Sequence, residues 1–229
     1  TFTFTKGGST GTNSILDLTG TKLKLKKDLS AQNGILTTNN SSVLHLEDDL
    51  TVTYNGEKTF KALELNGKIL TLGSASTDMK VIDAFTLSSN TLKTGDADLT
   101  AAVTLNTNSL IDSTGGTLKI SGTVDSSSEI KIPGTGLAIN GDLSVAGTLT
   151  TGASTTINRN NNELDLSGTM IKLGGGLNLA GAVTNNATRV ILQSDASLAN
   201  SSTVEIGSLD LNGNALTTSM GLTINDALT

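Results

Sequence analysis

The chain has 229 residues, of which 36% are hydrophobic, 2% aromatic and 16% charged, and its formal net charge at pH 7 is −6. The acidic balance argues against nucleic acids and anionic membrane surfaces as partners, because both require a basic face. No stretch has the ~20 apolar residues of a membrane span, so membrane insertion is not expected. The absence of cysteine excludes disulfide bonds and Cys-based metal sites.

The hydrophobic side chains are mostly aliphatic, because the chain has no Trp, one Tyr and four Phe. A compact domain of this length normally fills its centre with some large rings. An aliphatic interior instead favours a narrow core, such as that of stacked coils.

The chain opens on a strict alternation of Thr and Phe over residues 1–5, which predicts a strand with an aromatic face. We expect Phe2 and Phe4 to form an assembly strand that docks onto a neighbouring subunit. Farther along, Lys22 to Lys27 alternates lysine with leucine. This pattern predicts a solvated strand face whose charges discourage edge pairing, in preference to a basic binding stripe.

One short phrase recurs along the chain: two apolar residues one apart, a small polar residue, a glycine and a second apolar pair. The full copies begin at Leu16, Leu63, Leu164 and Leu209, and the shorter echoes begin at Leu118 and Leu137. Each copy predicts a strand, a tight turn and a second strand, with its apolar residues on one face. The glycine supplies the positive φ of the turn. The predicted structural turns are Gly20, Gly67, Gly168 and Gly213.

The third position of the phrase is expected to be inside the protein, because alternation turns the acidic residue before it towards solvent. The leucines at this position are predicted to stack in one buried core row. They are Leu65, Leu166 and Leu211.

The rest of the chain continues as short apolar pairs separated by polar turns, and Met79 to Leu87 is predicted to be strand. Weak copies of one supersecondary phrase are typical of a solenoid. Their irregular spacing argues against left-handed hexapeptide coils. It favours a right-handed parallel β-helix, which tolerates variable loops between its strands. The prediction is an all-β fold, a single β-solenoid domain over residues 1–229 with irregular coils of about 20 residues.

Two groups of residues carry a resemblance to known proteins. Residues 115–122 and the Leu-Asp-Leu phrases resemble the passenger repeats of bacterial autotransporters and filamentous-haemagglutinin-like adhesins. Residues 141–149 also resemble the shaft repeats of phage tail fibres. The resemblance implies a right-handed β-helix on a cell or virion surface. It suggests a secreted, extracellular structural or adhesive fibre segment, with a cell-surface or glycan receptor of unknown identity.

The chain has few residues suited to catalysis, and we expect that the protein is not an enzyme. The one histidine, His45, alternates with Leu44 and Leu46 and is predicted to be an outward surface residue rather than a general base. The competing function is a β-helical carbohydrate-active enzyme, which could use paired carboxylates or the two arginines, Arg159 and Arg189. The scarcity of aromatic residues disfavours the platforms that hold sugar rings.

Two further alternatives concern acidic and Thr-rich stretches. Residues 47–49 and 96–98 offer carboxylate oxygens but match no calcium-loop pattern, so they are predicted to be solvated turns. Residues 148–151 are Thr-rich, but ice binding would need a regular Thr lattice over many coils. Neither a metal nor a cofactor is expected.

The residues at both ends of the chain predict strands that belong to the same repeating pattern as the rest of the chain. A β-helix leaves unpaired backbone groups on its first and last coils, and monomeric solenoids usually carry a cap there. We therefore expect the stack to continue end to end, either as a segment of a longer polypeptide or as a filament subunit that self-associates.

Overall fold

The computed structural model describes residues 2–4, 8–9, 15–31, 35–74, 76–113, 115–132, 136–158, 164–166, 168–180, 184–200, 203–219 and 221–229. Every regular element in these ranges is a β-strand, and the strands of successive coils pair in parallel. The predicted all-β parallel solenoid is confirmed. Its right-handed sense stays a prediction, in keeping with the strong preference of parallel crossover connections for that hand.

The strands are short in the first coils and longer in the later ones. The first fourteen are β1 (Phe2–Phe4), β2 (Gly8–Ser9), β3 (Ile15–Asp17), β4 (Lys22–Leu25), β5 (Leu29–Ala31), β6 (Ile35–Thr37), β7 (Val43–Leu46), β8 (Leu50–Tyr54), β9 (Lys58–Phe60), β10 (Ala62–Glu64), β11 (Ile69–Leu72), β12 (Met79–Val81), β13 (Phe85–Ser88) and β14 (Thr91–Gly95). The others are β15 (Leu99–Asn106), β16 (Leu110–Ser113), β17 (Thr117–Val124), β18 (Glu129–Ile132), β19 (Gly136–Val145), β20 (Thr148–Thr151), β21 (Ser154–Asn158), β22 (Leu164–Asp165), β23 (Met170–Leu173), β24 (Gly176–Ala180), β25 (Thr184–Leu192), β26 (Ala196–Asn200), β27 (Val204–Asp210), β28 (Leu216–Thr218) and β29 (Leu222–Leu228). The stretch predicted as strand over residues 79–87 thus contains β12 and β13.

The strands line three sides of each coil. A twelve-stranded sheet, the long sheet, runs from β2 to β29 and takes its strands in chain order. The first coils build their other two sides from the sheets β1-β4-β7-β10 and β3-β6. From β9 to β28 an eleven-stranded sheet takes over. Its strand β15 spans two sides, because β12 pairs with its first half and β13 with its second half.

The register of the long sheet sets the length of a coil. Leu92 pairs with Ile111, and the column continues through Ile130 to Leu149 in steps of 19 residues. A second regular column contains Ile171, Val190, Leu209 and Leu228. The step between the two columns, from Leu149 to Ile171, is 22 residues. The coils therefore have about the predicted length, but regular runs alternate with longer steps.

The core is a column of aliphatic side chains, as the composition predicts. Strands such as β18 alternate inward and outward residues, and the four residues of the first column are fully buried. The buried aromatic residues among the described side chains are Tyr54, Phe60 and Phe85. Each coil covers the apolar residues of its neighbour, so the stacking of coils supplies most of the hydrophobic stabilisation.

The recurring phrase forms the corners of the coil. In each full copy, the residue after the glycine donates its N–H to the carbonyl of the third-position leucine, with N···O distances of 2.8–3.0 Å. The four predicted turn glycines have φ between 67° and 77°. In two copies Asn66 and Asn212 also have positive φ, so both central residues fit a type I′ turn.

The same phrase occupies different corners in different coils. After its turn, the first copy enters β4 in the four-stranded sheet. The second and third copies enter β11 and β23 in the long sheet, and the fourth enters β28 in the eleven-stranded sheet. The phrase therefore encodes a corner and not a fixed place in the coil.

The predicted single core row is consequently wrong. Leu65 and Leu166 are buried, with 4% and 1% of their surface exposed. Leu211 instead follows β27 on the long-sheet side and is only partly buried. Local alternation turns a leucine inward, whereas its row depends on the coil step, which the phrase does not contain.

Tyr54 is a buried residue of the first coils whose hydroxyl group is not hydrogen-bonded within the described part of the chain. Its side chain is 1% exposed, and its phenol oxygen has no hydrogen-bond partner among the described residues. Burial raises the pKa of this phenol far above its usual value, so the hydroxyl stays neutral. We expect Tyr54→Phe to raise the free energy of unfolding by about 1 kcal/mol in urea titrations, because it removes an unpaired buried polar group. A comparable loss of stability would mean that the hydroxyl has a partner. The reciprocal control is Phe60→Tyr, which adds a buried hydroxyl and should destabilise the protein.

Candidate functional site

The outward face of the first coils carries a compact set of charged side chains, here called the charged patch. Strands β4, β7 and β10 are neighbours in one sheet, and their register aligns Lys24 with His45 and His45 with Glu64. Alternation turns the intervening leucines into the core. The charged patch consists of Lys22, Lys24, Lys26, His45, Glu47 and Glu64.

His45 lies on the outward face, as alternation predicts, but it is well packed there, with 17% of its side chain exposed. Its Nδ1 is 2.5 Å from Glu64 Oε2. Asn66 Nδ2 is 3.2 Å from Nε2 and 3.3 Å from Nδ1 of the same ring. The amide nitrogen is thus within hydrogen-bond distance of the ring, and Nε2 is its acceptor when Nδ1–H donates to Glu64.

The lysines of the charged patch are paired with acids of other coils. Lys22 Nζ lies 2.6 Å from Glu64 Oε2, although His45 of the intervening coil contacts the same oxygen. Lys24 and Lys26 lie 3.7 and 3.0 Å from the carboxylate of Glu47. These contacts favour a charge-balanced strand face over a free basic stripe. Each exposed pair contributes about 0–1 kcal/mol.

The ion pairs hold the two glutamates in their charged form. The Lys22 ammonium, followed by the His45 ring, hydrogen-bonds Glu64 and keeps the pKa of this carboxyl below its usual range. Lys26 has the same effect on the pKa of Glu47. Both carboxylates therefore remain acceptors at neutral pH.

Aspartates in the acidic turns accept hydrogen bonds from the backbone of neighbouring coils. Asp28 accepts the N–H of Thr51 at 2.7 Å, and Asp49 accepts the N–H of Ile69 at 2.8 Å. Asp98 does the same for Thr117. Within the described ranges, no group of three or more His, Cys, Asp or Glu side chains could hold a metal ion.

Asp125 accepts several hydrogen bonds, one of them from the backbone of a neighbouring coil and the others within its own turn. The hydroxyl of Ser128, together with the backbone of Thr107 and both the hydroxyl and the backbone of Ser127, lowers its pKa from 3.8 to about 2. A depressed native pKa stabilises the fold above the unfolded pKa, and this contribution is lost as pH falls through the native value. We expect the stability advantage of the wild type over Asp125→Asn to shrink between pH 4 and 2 in urea titrations. A constant difference over that range would contradict the assignment.

Two open grooves lie on the later coils. The larger, of about 550 Å³, follows a corner of small residues that includes residues 174–176 and Asp195. The smaller, of about 370 Å³, is lined by Asp142, Asp165 and Ser144. The Ser144 hydroxyl donates to Asp165 Oδ2 at 3.3 Å.

The other predicted site residues are scattered. The backbone of β1 pairs with β4, placing Phe2 beside Leu23 and Phe4 beside Leu25, and β1 is the end strand of its sheet. Arg189 lies 3.6 Å from Asp210 on the long sheet, and Arg159 falls outside the described residues.

Sequence reasoning missed Asn66 and the pairing of Lys22 with Glu64. The Asn-Gly turn signals the left-handed conformation of Asn66, but its contact with His45 depends on the offset between β7 and β10. Lys22 reaches Glu64 across an intervening coil, and no local pattern encodes that distance.

Comparison with known proteins finds no match among family models, curated proteins or solved structures. None of the elements that the structure describes is a helix with the length and hydropathy of a membrane span. The functional interpretation therefore rests on the geometry of this chain.

Proposed function

We propose that the chain is a structural segment of an extracellular fibre, which projects or spaces adhesive surfaces and stacks end to end. The observation that carries this proposal is the column that ends at Leu228. Leu209 and Val190 of this column are buried, with 4% and 5% exposed, but Leu228 is 61% exposed. Elsewhere in the stack the next coil covers the corresponding residue.

A further solenoid coil, either of the same polypeptide or of a second copy, is the occupant that suits this face of the last described coil. It would bury Leu228 together with the partly buried Leu222 and Ile224. Strand β29 is the last strand of the long sheet, and parallel pairing to another strand would extend that sheet. A head-to-tail contact of this kind is heterologous and produces filaments if it does not close.

The outward surface supports a structural role in the first coils. Its lysines and glutamates pair with each other across coils, and several aspartates accept backbone N–H groups of a neighbouring coil. These charges hold coils together. The resemblance to secreted passenger repeats supports an extracellular location, with exposed corner loops as the contacts for a cell-surface or glycan receptor.

The test is to express residues 1–229 and follow size by light scattering and negative-stain microscopy. We expect concentration-dependent end-to-end assembly. Leu228→Lys should weaken it, and so should the double variant Phe2→Ser, Phe4→Ser. The matched control is Ile82→Lys, because Ile82 is 42% exposed but lies on the side of the stack. A folded wild type that stays monomeric at high concentration would contradict self-assembly, and equal effects of Leu228→Lys and Ile82→Lys would indicate lateral association.

The second candidate function is a carbohydrate-active enzyme, and the groove that contains Asp142 and Asp165 favours it. Paired carboxylates are the catalytic groups of most glycoside hydrolases. Turnover of polysaccharides that is lost in Asp142→Asn or Asp165→Asn, with folding preserved, would support this function. Equal rates of polysaccharide degradation with and without the protein would count against the enzymatic function.

A further inference from the structure

Asn66 lies in a corner turn, and its side chain contacts the titratable imidazole ring of His45. Asn66 occupies the turn between β10 and β11 with φ of 52°, followed by Gly67 with φ of 77°. Its Nδ2 donates to the carbonyl of Leu46 at 2.9 Å, so the orientation of the amide is fixed by an acceptor. The same amino group lies within hydrogen-bond distance of both nitrogens of the His45 ring. The side chain of Asn66 therefore links the corner to both the backbone and the imidazole of β7.

The protonation state of His45 decides whether this contact is favourable. In a neutral ring whose Nδ1–H is donated to Glu64, Nε2 carries a lone pair that accepts an N–H of the Asn66 amide. An imidazolium ring carries a positive charge, which repels the partly positive amino hydrogens of Asn66. The observed arrangement thus suits neutral His45, with Nδ1–H donated to the carboxylate of Glu64.

The charged groups around His45 increase the effect that protonation of the ring has on its contacts. Lys22 and Lys24 approach from β4 and Glu64 from β10, and Glu47 directly follows the last residue of β7. Lys22 and His45 already share Oε2 of Glu64. A protonated His45 would compete with Lys22 for this oxygen, and its Nε2 would present an N–H instead of a lone pair to the Asn66 amino group.

We propose that the corner at Asn66 and Gly67 is an acid-sensitive switch, in which protonation of His45 releases the Asn66 side chain and loosens the turn. The turn is closed by the N–H of Lys68, which donates to the Leu65 carbonyl at 3.0 Å. Exchange of this N–H with solvent reports opening of the corner.

The chain contains a matched control corner at Asn212 and Gly213. Both residues have positive φ, Asn212 Nδ2 donates to the Leu192 carbonyl at 3.2 Å, and Asn214 N–H closes the turn at 2.8 Å from the Leu211 carbonyl. This corner has the same backbone chemistry without a histidine, since His45 is the only one in the chain.

The experiment is amide hydrogen exchange of the full chain, measured by NMR at pH values from 8 to 5 and corrected for intrinsic exchange. We expect the protection factor of Lys68 to fall about fivefold, the equivalent of one hydrogen bond, relative to that of Asn214. The Asn66 side-chain amide signals should move in parallel with the His45 ring signals. In His45→Gln the relative fall at Lys68 should disappear.

Three outcomes would overturn the switch. The first is a ratio of the Lys68 to the Asn214 protection factor that does not change with pH. The second is Asn66 amide signals that do not shift when the His45 ring signals do. The third is a fall in Lys68 protection that persists in His45→Gln. If His45→Gln does not fold, Asn66→Gly replaces it, because glycine tolerates the positive φ of the turn and removes the amide. A pH-dependent fall at Lys68 that persists in Asn66→Gly would equally reject the proposal.

Discussion

Leu166→Ala is expected to lower the free energy of unfolding by about 2–5 kcal/mol. The side chain is 1% exposed, and the strand that leads to it, β22, is paired with β19 of the preceding coil, so the cavity cannot collapse easily. Leu65→Ala should have a similar effect, since Leu65 is 4% exposed in the same type of corner. Urea unfolding followed by far-UV circular dichroism measures both changes.

Leu211→Ala is the matched control, because Leu211 holds the same position of the phrase but is only partly buried. We expect it to cost about 1 kcal/mol, in proportion to the smaller area removed from water. The outward neighbour Asp210 should tolerate alanine with a change within about 0.5 kcal/mol. A loss at Leu211 as large as at Leu166 would restore the single buried row that the structure contradicts.

Gly147→Ala is expected to cost more than about 3 kcal/mol or to prevent folding. A Cβ atom at this position would lie 2.2 Å from the carbonyl oxygen of Ser128 and 2.3 Å from that of Asp125. Both oxygens belong to the backbone of the preceding coil, and the N–H of Thr148 hydrogen-bonds to Ser128 there. Relief of the clash would therefore require the two coils to separate.

The control for this substitution is Gly20→Ala. Gly20 lies in a corner with φ of 67°, but a Cβ there meets nothing within 4 Å. The expected cost is about 1–2 kcal/mol, from the left-handed backbone alone. Thermal and urea unfolding of both variants separate the two effects. Equal costs would show that the coils are not in close contact at Gly147.

The local features of this fold are predictable because they depend on neighbouring residues in the chain. Alternation predicts that Leu44 and Leu46 point inward and His45 outward, and the structure places them so. The glycine after a small polar residue predicts the corner at Gly67, where a positive φ is required. Both features follow from steric rules that act over two to four residues.

The vertical arrangement of the coils could not be predicted from the phrase. The 19-residue step from Ile111 to Ile130 is regular, but neither residue belongs to a copy of the phrase. Contacts such as Lys22 with Glu64 depend on two successive coil steps of different length. Stacking sets these distances, and stacking is a collective property of the aliphatic column rather than of any one motif.

One coil is the unit of this structure, and removal of one coil tests this most directly. Deletion of residues 111–129 removes one 19-residue step and joins Leu110 to Ile130, so the inward and outward faces stay in register. We predict a folded protein with cooperative unfolding, in which NMR contacts place Leu92 beside Ile130. Deletion of residues 120–129 removes about half a coil and should abolish the cooperative transition. Loss of folding in the whole-coil deletion, or equal tolerance of both deletions, would contradict a stack of interchangeable coils.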